Sequence, residues 1–204
     1  MLLACMIEPN DLLTIVDFMK SIFLSTKWSI NVIDIHSNNW MHYLIDNANT
    51  YTISIIKTSL QEINILTKLN IKFDILIIDS ETTPNLYNSF SIFKTILPIL
   101  KPNAYLIINS DNFDVFNYLY LKNYNVITYG FNNLANLSTS SIGDFFLDSR
   151  FMCSLTKTIH SYNGIAFEPQ EYVFKLSYPP QNPYNILAVA MLALISGIDL
   201  NSTI

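Results

Sequence analysis

The segment FDILIID, residues 73–79, is apolar on both faces of any strand it could form. A strand with one solvated face alternates apolar and polar side chains, so this one belongs in the middle of a parallel sheet covered by helices on both sides. That assignment constrains the rest of the chain, because parallel neighbours must be joined by crossover segments. Segments of the required kinds surround it. LLACMI (2–7) reads as a first strand, followed by a turn at EPND and a helix over about 12–26, where Leu12, Ile15, Val16, Met19 and Phe23 form one apolar stripe. INVIDI (30–35) is a second strand. Residues 37–52 are polar and ambiguous, and a helix is predicted over about 53–69 from Ile56, Leu60, Ile63 and Leu66 or Thr67 at spacings of three and four. After FDILIID and the turn ETTPN, a helix at 86–100 leads to Pro102 and Asn103, which break it, and AYLIINS follows as another buried strand.

A short helix (113–122) and the strand YNVITYG (124–130) complete a predicted sheet of five or so parallel strands. From 131 to 177 the period becomes about two, as in LANLSTSSI, FFLDSRFMCSLTKTI and YVFKLSY, with turn residues at Gly143, Asp144, Asn163 and Gly164. The expectation is one α/β domain over 1–204: a mostly parallel sheet flanked by helices (1–130), a small antiparallel hairpin layer (131–178), then a buried C-terminal helix (182–198). A length of 204 residues suits one such domain with a proper core.

Composition excludes some functions. Half the residues are hydrophobic, yet no apolar run reaches the roughly 18 to 20 residues of a membrane-spanning helix. A formal charge of −5 and a pI near 5.0 leave no basic footprint for nucleic acid or anionic lipid. The opening MLLACMIEPND has no basic region before its short apolar run, so it does not read as a secretory signal, and a cytoplasmic location is expected. Cys5 and Cys153 are far apart, belong to no metal-binding spacing and read as core thiols. His36, His42 and His160 are equally scattered, and no metal site is expected.

Two segments place polar groups where ligands could meet them. QNPYNILAVAMLALISGI (181–198) opens with Asn182, a good helix N-cap, and Pro183 at the first helical position, and closes with Gly197. Its small residues Ala188, Ala190, Ala193 and Ser196 suit close packing. The strand in KPNAYLIINSDN (101–112) ends in Asn109, Ser110 and Asp111, at the carboxyl edge where open α/β sheets bind ligands. An Asx turn into the next helix is the other reading of those residues.

Both segments resemble the Mur ligase and folylpolyglutamate synthase family. The first is similar to HNxxNxLAAxAxAxxLGI, with Asn182 and Asn185 at the two Asn positions and Gln181 replacing the His. The second matches KPDGxxVINADD, retaining Asn109 and Asp111. The similarity spans about 73–198 and implies the family's P-loop or Rossmann-like central ATP-binding domain, with ATP and Mg²⁺ as the family's ligands and Asn185 facing adenine.

The catalytic parts depart from the family. Where it has a phosphate loop of the type TGTNGKT, this chain reads IEPNDLLT, so Glu8 and Asp11 stand on the two glycines, Leu12 on the Lys, and Asn10 alone agrees. Two carboxylates repel a polyphosphate, and Pro9 removes a donor. ETTPNLYN (81–88) occupies the place of the TNxxxDHxD segment and has no His; its Glu81 reads as a solvated turn residue. The family's modified Lys falls at or beside Phe93, with Lys94 one residue out of register. The expectation is a degenerate central domain with no catalytic residues and no cofactor of its own. Asn10, Asn109, Asp111, Asn182 and Asn185 are its candidate nucleotide-facing positions, and its function is an interaction or regulatory module for a protein partner such as a related complete ligase. Tyr87, Tyr118, Tyr120, Tyr124 and Tyr178 are candidates for an exposed aromatic surface. A ligase component with weak nucleotide binding is one alternative. A class I methyltransferase fold is another, opposed by the absence of glycine before Gly130.

Overall fold

The computed structural model describes residues 1–7, 12–36, 39–45, 51–78, 89–112, 119–139, 150–175 and 182–202. Its strands are β1 (Leu2–Ile7), β2 (Trp28–His36), β3 (Asn39–Ile45), β4 (Tyr51–Thr58), β5 (Phe73–Ile78), β6 (Leu100–Asn109), β7 (Asn125–Tyr129), β8 (Leu137–Ser138), β9 (Arg150–Leu155), β10 (Ile159–His160), β11 (Ala166–Phe167) and β12 (Gln170–Lys175). The helices are α1 (Leu12–Phe23), α2 (Ile63–Lys68), α3 (Ser89–Ile96) and α4 (Pro183–Ile195).

One sheet of ten strands runs β12-β9-β8-β7-β6-β5-β1-β4-β2-β3, and β10 pairs with β11 in a separate two-stranded ribbon. From β8 through β2 the neighbours are parallel; β3 closes one edge and β9 and β12 the other in antiparallel fashion. Every residue of β5 is buried, as a strand apolar on both faces requires. Its alternate side chains enter two cores: Ile75 and Ile77 pack in the cluster shared with α1 and α4, and Leu76 and Ile78 in the cluster shared with α2 and α3. The protein is therefore a three-layer α/β/α sandwich. Asp74, the one charge in β5, lies 2.8 Å from the Lys101 ammonium and accepts from the Leu3 N–H at 3.0 Å.

The helix predicted over 53–69 is replaced by β4 and the short α2. The β-branched run ISIIKT (53–58) pairs in parallel with both β1 and β2, which buries Ile53 and Ile55, and Ile63 and Leu66 face the core only from α2. The ambiguous stretch 37–52 contains β3. The sheet is twice the predicted width because β3 and β4 add to one side and the period-two region to the other: β8 pairs with β7, and β9 and β12 follow. The helix predicted at 86–100 is α3 and a 3₁₀ turn, Leu97–Ile99, and β6 runs straight through Pro102 and Asn103, with Asn103 at φ 60° in an irregular register against β5. Of the segment 113–122, the described part is a 3₁₀ turn at Leu119–Asn123.

α4 follows its sequence closely. Asn182 caps it by accepting from the Tyr184 N–H at 2.8 Å, Pro183 opens it, and Gly197 ends it at φ 85°, a conformation that a side chain disfavours. Every residue from Asn185 to Ile195 is buried, so the helix is apolar all round because it is covered all round.

Candidate functional site

The parallel strands present their carboxyl ends along one edge, and β6, β7 and the first turn of α4 meet there. β6 ends at Asn109, whose Oδ1 accepts from the Asp111 N–H at 3.0 Å and so turns the chain sharply after the strand. Ser110 N–H continues the ladder by donating to the Tyr129 carbonyl at 2.8 Å. Tyr129 is fully buried at the end of β7 and donates its hydroxyl to the Ile78 carbonyl at 3.3 Å, tying β7 to the end of β5.

Asp111 is the hub of this corner. Its Oδ2 accepts from the Phe131 N–H at 2.6 Å and the Tyr184 hydroxyl at 3.1 Å, and its Oδ1 from the Asn132 N–H at 3.0 Å. The Phe131 ring meets the Tyr184 ring edge-on, with centroids 4.7 Å apart. One carboxylate thereby joins the end of β6, the turn after β7 and the start of α4. Asn132 closes the turn from inside by accepting from the Leu134 and Ala135 N–H groups at 2.9 and 3.1 Å.

Beside this satisfied hub are two amides that are not satisfied. Asn109 is 0% and Asn185 2% exposed, and the Nδ2 of each has no hydrogen-bond partner among the described residues. A buried donor left in that state costs about 1–3 kcal/mol. Asn109 is two residues from Asp111 and Asn185 follows Tyr184, so the Asp111–Tyr184 bond brackets both. Two donors without acceptors among the described residues suit a ligand that offers lone pairs, as the ring nitrogens of a nucleobase do.

Four of the five predicted site residues thus gather at one corner, in different states: Asp111 engaged by three donors, Asn182 serving as a helix cap, Asn109 and Asn185 each with a spare donor. Asn10 lies outside the described residues, as do Glu8, Asp11 and Glu81. Phe93 is a fully buried core residue of α3, and Lys94 beside it is exposed. Lys57, one residue before the end of β4, is held 3.1 Å from the buried Asp34. Sequence reasoning missed Gly130, Phe131, Asn132 and Tyr184. The signal for Gly130 was its place directly after a strand, where a close backbone approach is common.

No group of three or more His, Cys, Asp or Glu among the described residues could hold a metal ion. Cys5 and Cys153 are fully buried, and desolvation pushes both thiols well above their ordinary range, which makes them core groups and not nucleophiles. Tyr124 is half-buried and packs against the core, so it does not contribute an exposed aromatic face. The side chains of Tyr87, Tyr118, Tyr120 and Tyr178 lie outside the described set. No described helix is long and apolar enough to cross a membrane.

These features define an α/β protein with a mostly parallel sheet and a polar corner at its carboxyl edge. No protein-family model matches the chain, and no curated protein matches it in sequence. By structure it is similar to a murein peptide ligase from Psychrobacter arcticus 273-4, with a TM-score of 0.55 and 11% identity, over 98% of this chain and 45% of that one. It is also similar to a bifunctional folylpolyglutamate synthase/dihydrofolate synthase solved with Mn, AMPPNP and L-glutamate bound, with a TM-score of 0.53 and 12% identity, over 98% of this chain and 55% of that one. The fold is therefore ligase-like, and the chain spans about half the length of the ligases it matches.

Proposed function

We propose that this chain is a degenerate central domain of the Mur ligase type, acting as a non-catalytic interaction or regulatory module whose partner is a protein such as a related complete ligase. The state of Asp111 carries this reading: the acid at the carboxyl edge is spent on Phe131, Asn132 and Tyr184 and is not free to serve a metal ion or a reacting substrate. The sequence IEPNDLLT supports it, since acidic residues and a proline stand where a phosphate loop needs glycines and a lysine. Lys57, neutralised by Asp34, supports it as well.

A second reading, a ligase component that keeps weak nucleotide binding, is favoured by the spare donors of Asn109 and Asn185. Calorimetry with Mg-ATP separates the two. The module binds no tighter than about millimolar, a limit of roughly 4 kcal/mol. Micromolar binding abolished by Asn185→Ala would overturn it in favour of the ligase component. Micromolar binding of S-adenosylmethionine would instead favour the methyltransferase reading.

A further inference from the structure

At the opposite, amino-terminal edge of the sheet lies a cavity of ≈ 650 Å³. It forms where the first residues of β1, β2 and β4 meet the turns after α1 and α4 and the turn between β10 and β11. Neither the 109–111 corner nor the first turn of α4 contributes to its lining. Its size is that of a small-molecule site, roughly 300–1,000 Å³.

The lining combines aromatic rings, oxygen acceptors, the Asn163 amide and side-chain charges of both signs. Trp28 and Tyr51 pack with ring centroids 5.0 Å apart and planes tilted by 33°, and Tyr51 and Tyr162 are 50% and 54% exposed. Leu2 and Ile198 supply a buried apolar floor. The hydroxyls of Ser25, Thr26 and Ser196 donate to the carbonyls of Ile22, Phe23 and Leu192 at 3.1, 2.8 and 2.7 Å; Thr26 Oγ1 also accepts from the Trp28 N–H at 3.1 Å and Ser196 is buried, so exposed Ser25 is the hydroxyl that offers a ligand oxygen lone pairs and no proton. Asp199 adds a carboxylate. α1 and α4 both end beside the cavity and turn the negative ends of their dipoles toward it. Aromatic faces, lone pairs, a carboxylate and two helix C-termini all favour positive charge. Lys27, exposed in the lining, is the opposing side-chain charge.

We propose that this cavity binds a small alkylated ammonium ion, with its charge against the faces of Trp28, Tyr51 and Tyr162 and toward Asp199, and its apolar body over Leu2 and Ile198. The site is independent of any nucleotide at the other edge.

The test is calorimetry on the full chain, with tryptophan fluorescence as a second readout, using choline, its uncharged isostere 3,3-dimethylbutanol, and benzoate as the anionic probe. Choline is expected to bind saturably and the isostere at least about tenfold more weakly, as a cation over aromatic faces implies. Tyr51→Leu and Asp199→Asn, both at exposed residues, are each expected to weaken choline about tenfold, and Lys27→Gln to tighten it. The absence of saturable choline binding would overturn the proposal. So would equal binding of the isostere, or saturable benzoate binding lost in Lys27→Gln, which would assign the cavity to anions. If either weakening variant fails to fold, Lys27→Gln decides the sign of the site alone, since it tightens only a cation.

Discussion

Gly130→Ala tests whether the Asp111 hub holds the carboxyl-edge corner together. Gly130 has φ 153°, and a Cβ built on it would lie 2.8 Å from Asp111 Oδ2 and 2.9 Å from Ser110 Oγ. The added methyl must displace the carboxylate that accepts from Phe131, Asn132 and Tyr184. These groups are only partly buried, so water replaces part of what is lost, and about 0.5–1 kcal/mol for each of the three bonds gives about 2 kcal/mol. The unfavourable φ adds about 1 kcal/mol. The single substitution should therefore cost about 3 kcal/mol, a drop in Tm of roughly 6–12 °C for a domain of this size. In an Asp111→Ala background the carboxylate is already gone, so Gly130→Ala should cost the backbone term of about 1 kcal/mol, and any displacement of the Ser110 hydroxyl from the Tyr129 carbonyl and Asn132 Oδ1 is common to both backgrounds and cancels in the comparison. Urea unfolding of the four proteins at a common m-value measures the coupling, expected to be about 2 kcal/mol. Additivity within about 0.5 kcal/mol would refute the reasoning.

The other expectations concern buried polar groups. Asn185→Leu removes an amide whose Nδ2 has no partner among the described residues and should change stability between zero and about 1 kcal/mol in the favourable direction; a loss above about 2 kcal/mol in urea unfolding would mean the amide is satisfied. Lys101→Met leaves the buried Asp74 with the Leu3 N–H as its remaining partner and should cost about 1–3 kcal/mol, whereas Lys20→Met at the exposed Asp17 pair should cost under about 0.5 kcal/mol. Burial raises the Cys5 and Cys153 thiols above their ordinary 9.0 and pushes the Tyr172 hydroxyl from 10.0 to about 12. The native protein keeps protons there that the unfolded chain gives up, so stability is full below pH 9 and should fall as pH rises through 9 and 10 toward 12. Unfolding midpoints that stay level from pH 7 to about 10 in Cys5→Ala/Cys153→Ala and fall only above it, where Tyr172 acts, but already fall above pH 9 in the native protein, would isolate the thiol part.

The parts of this fold legible in the sequence are those whose signal is local. FDILII needs no neighbour to declare itself a central strand, because both its faces are apolar. α4 was legible end to end, since a capping Asn, a first-turn Pro and a terminal Gly act within a few residues of chain. The misreading of 53–69 has an equally local cause: Ile56, Leu60, Ile63 and Leu66 fit a helical spacing, but their stretch divides at Thr58, where pairing with β1 and β2 ends. The corner was half legible. Asn109, Asp111 and Asn182 stood out as polar residues at strand and helix ends, and Asn185 through the family resemblance alone. Tyr184, Phe131 and Gly130 looked like ordinary neighbours until the chain brought residues 111, 131 and 184 together.

By itself, then, the sequence determined a mostly parallel α/β layering and its buried last helix, because burial periodicity and capping are written in neighbouring residues. Only the tertiary structure decided the ten-strand order, the engagement of Asp111 by three distant donors, the Asn109 and Asn185 Nδ2 groups that find no acceptor among the described residues, and the aromatic cavity at the far edge. Those depend on which segments of a long chain become neighbours, and that is settled by the summed packing of the whole sheet and not by any one stretch of residues.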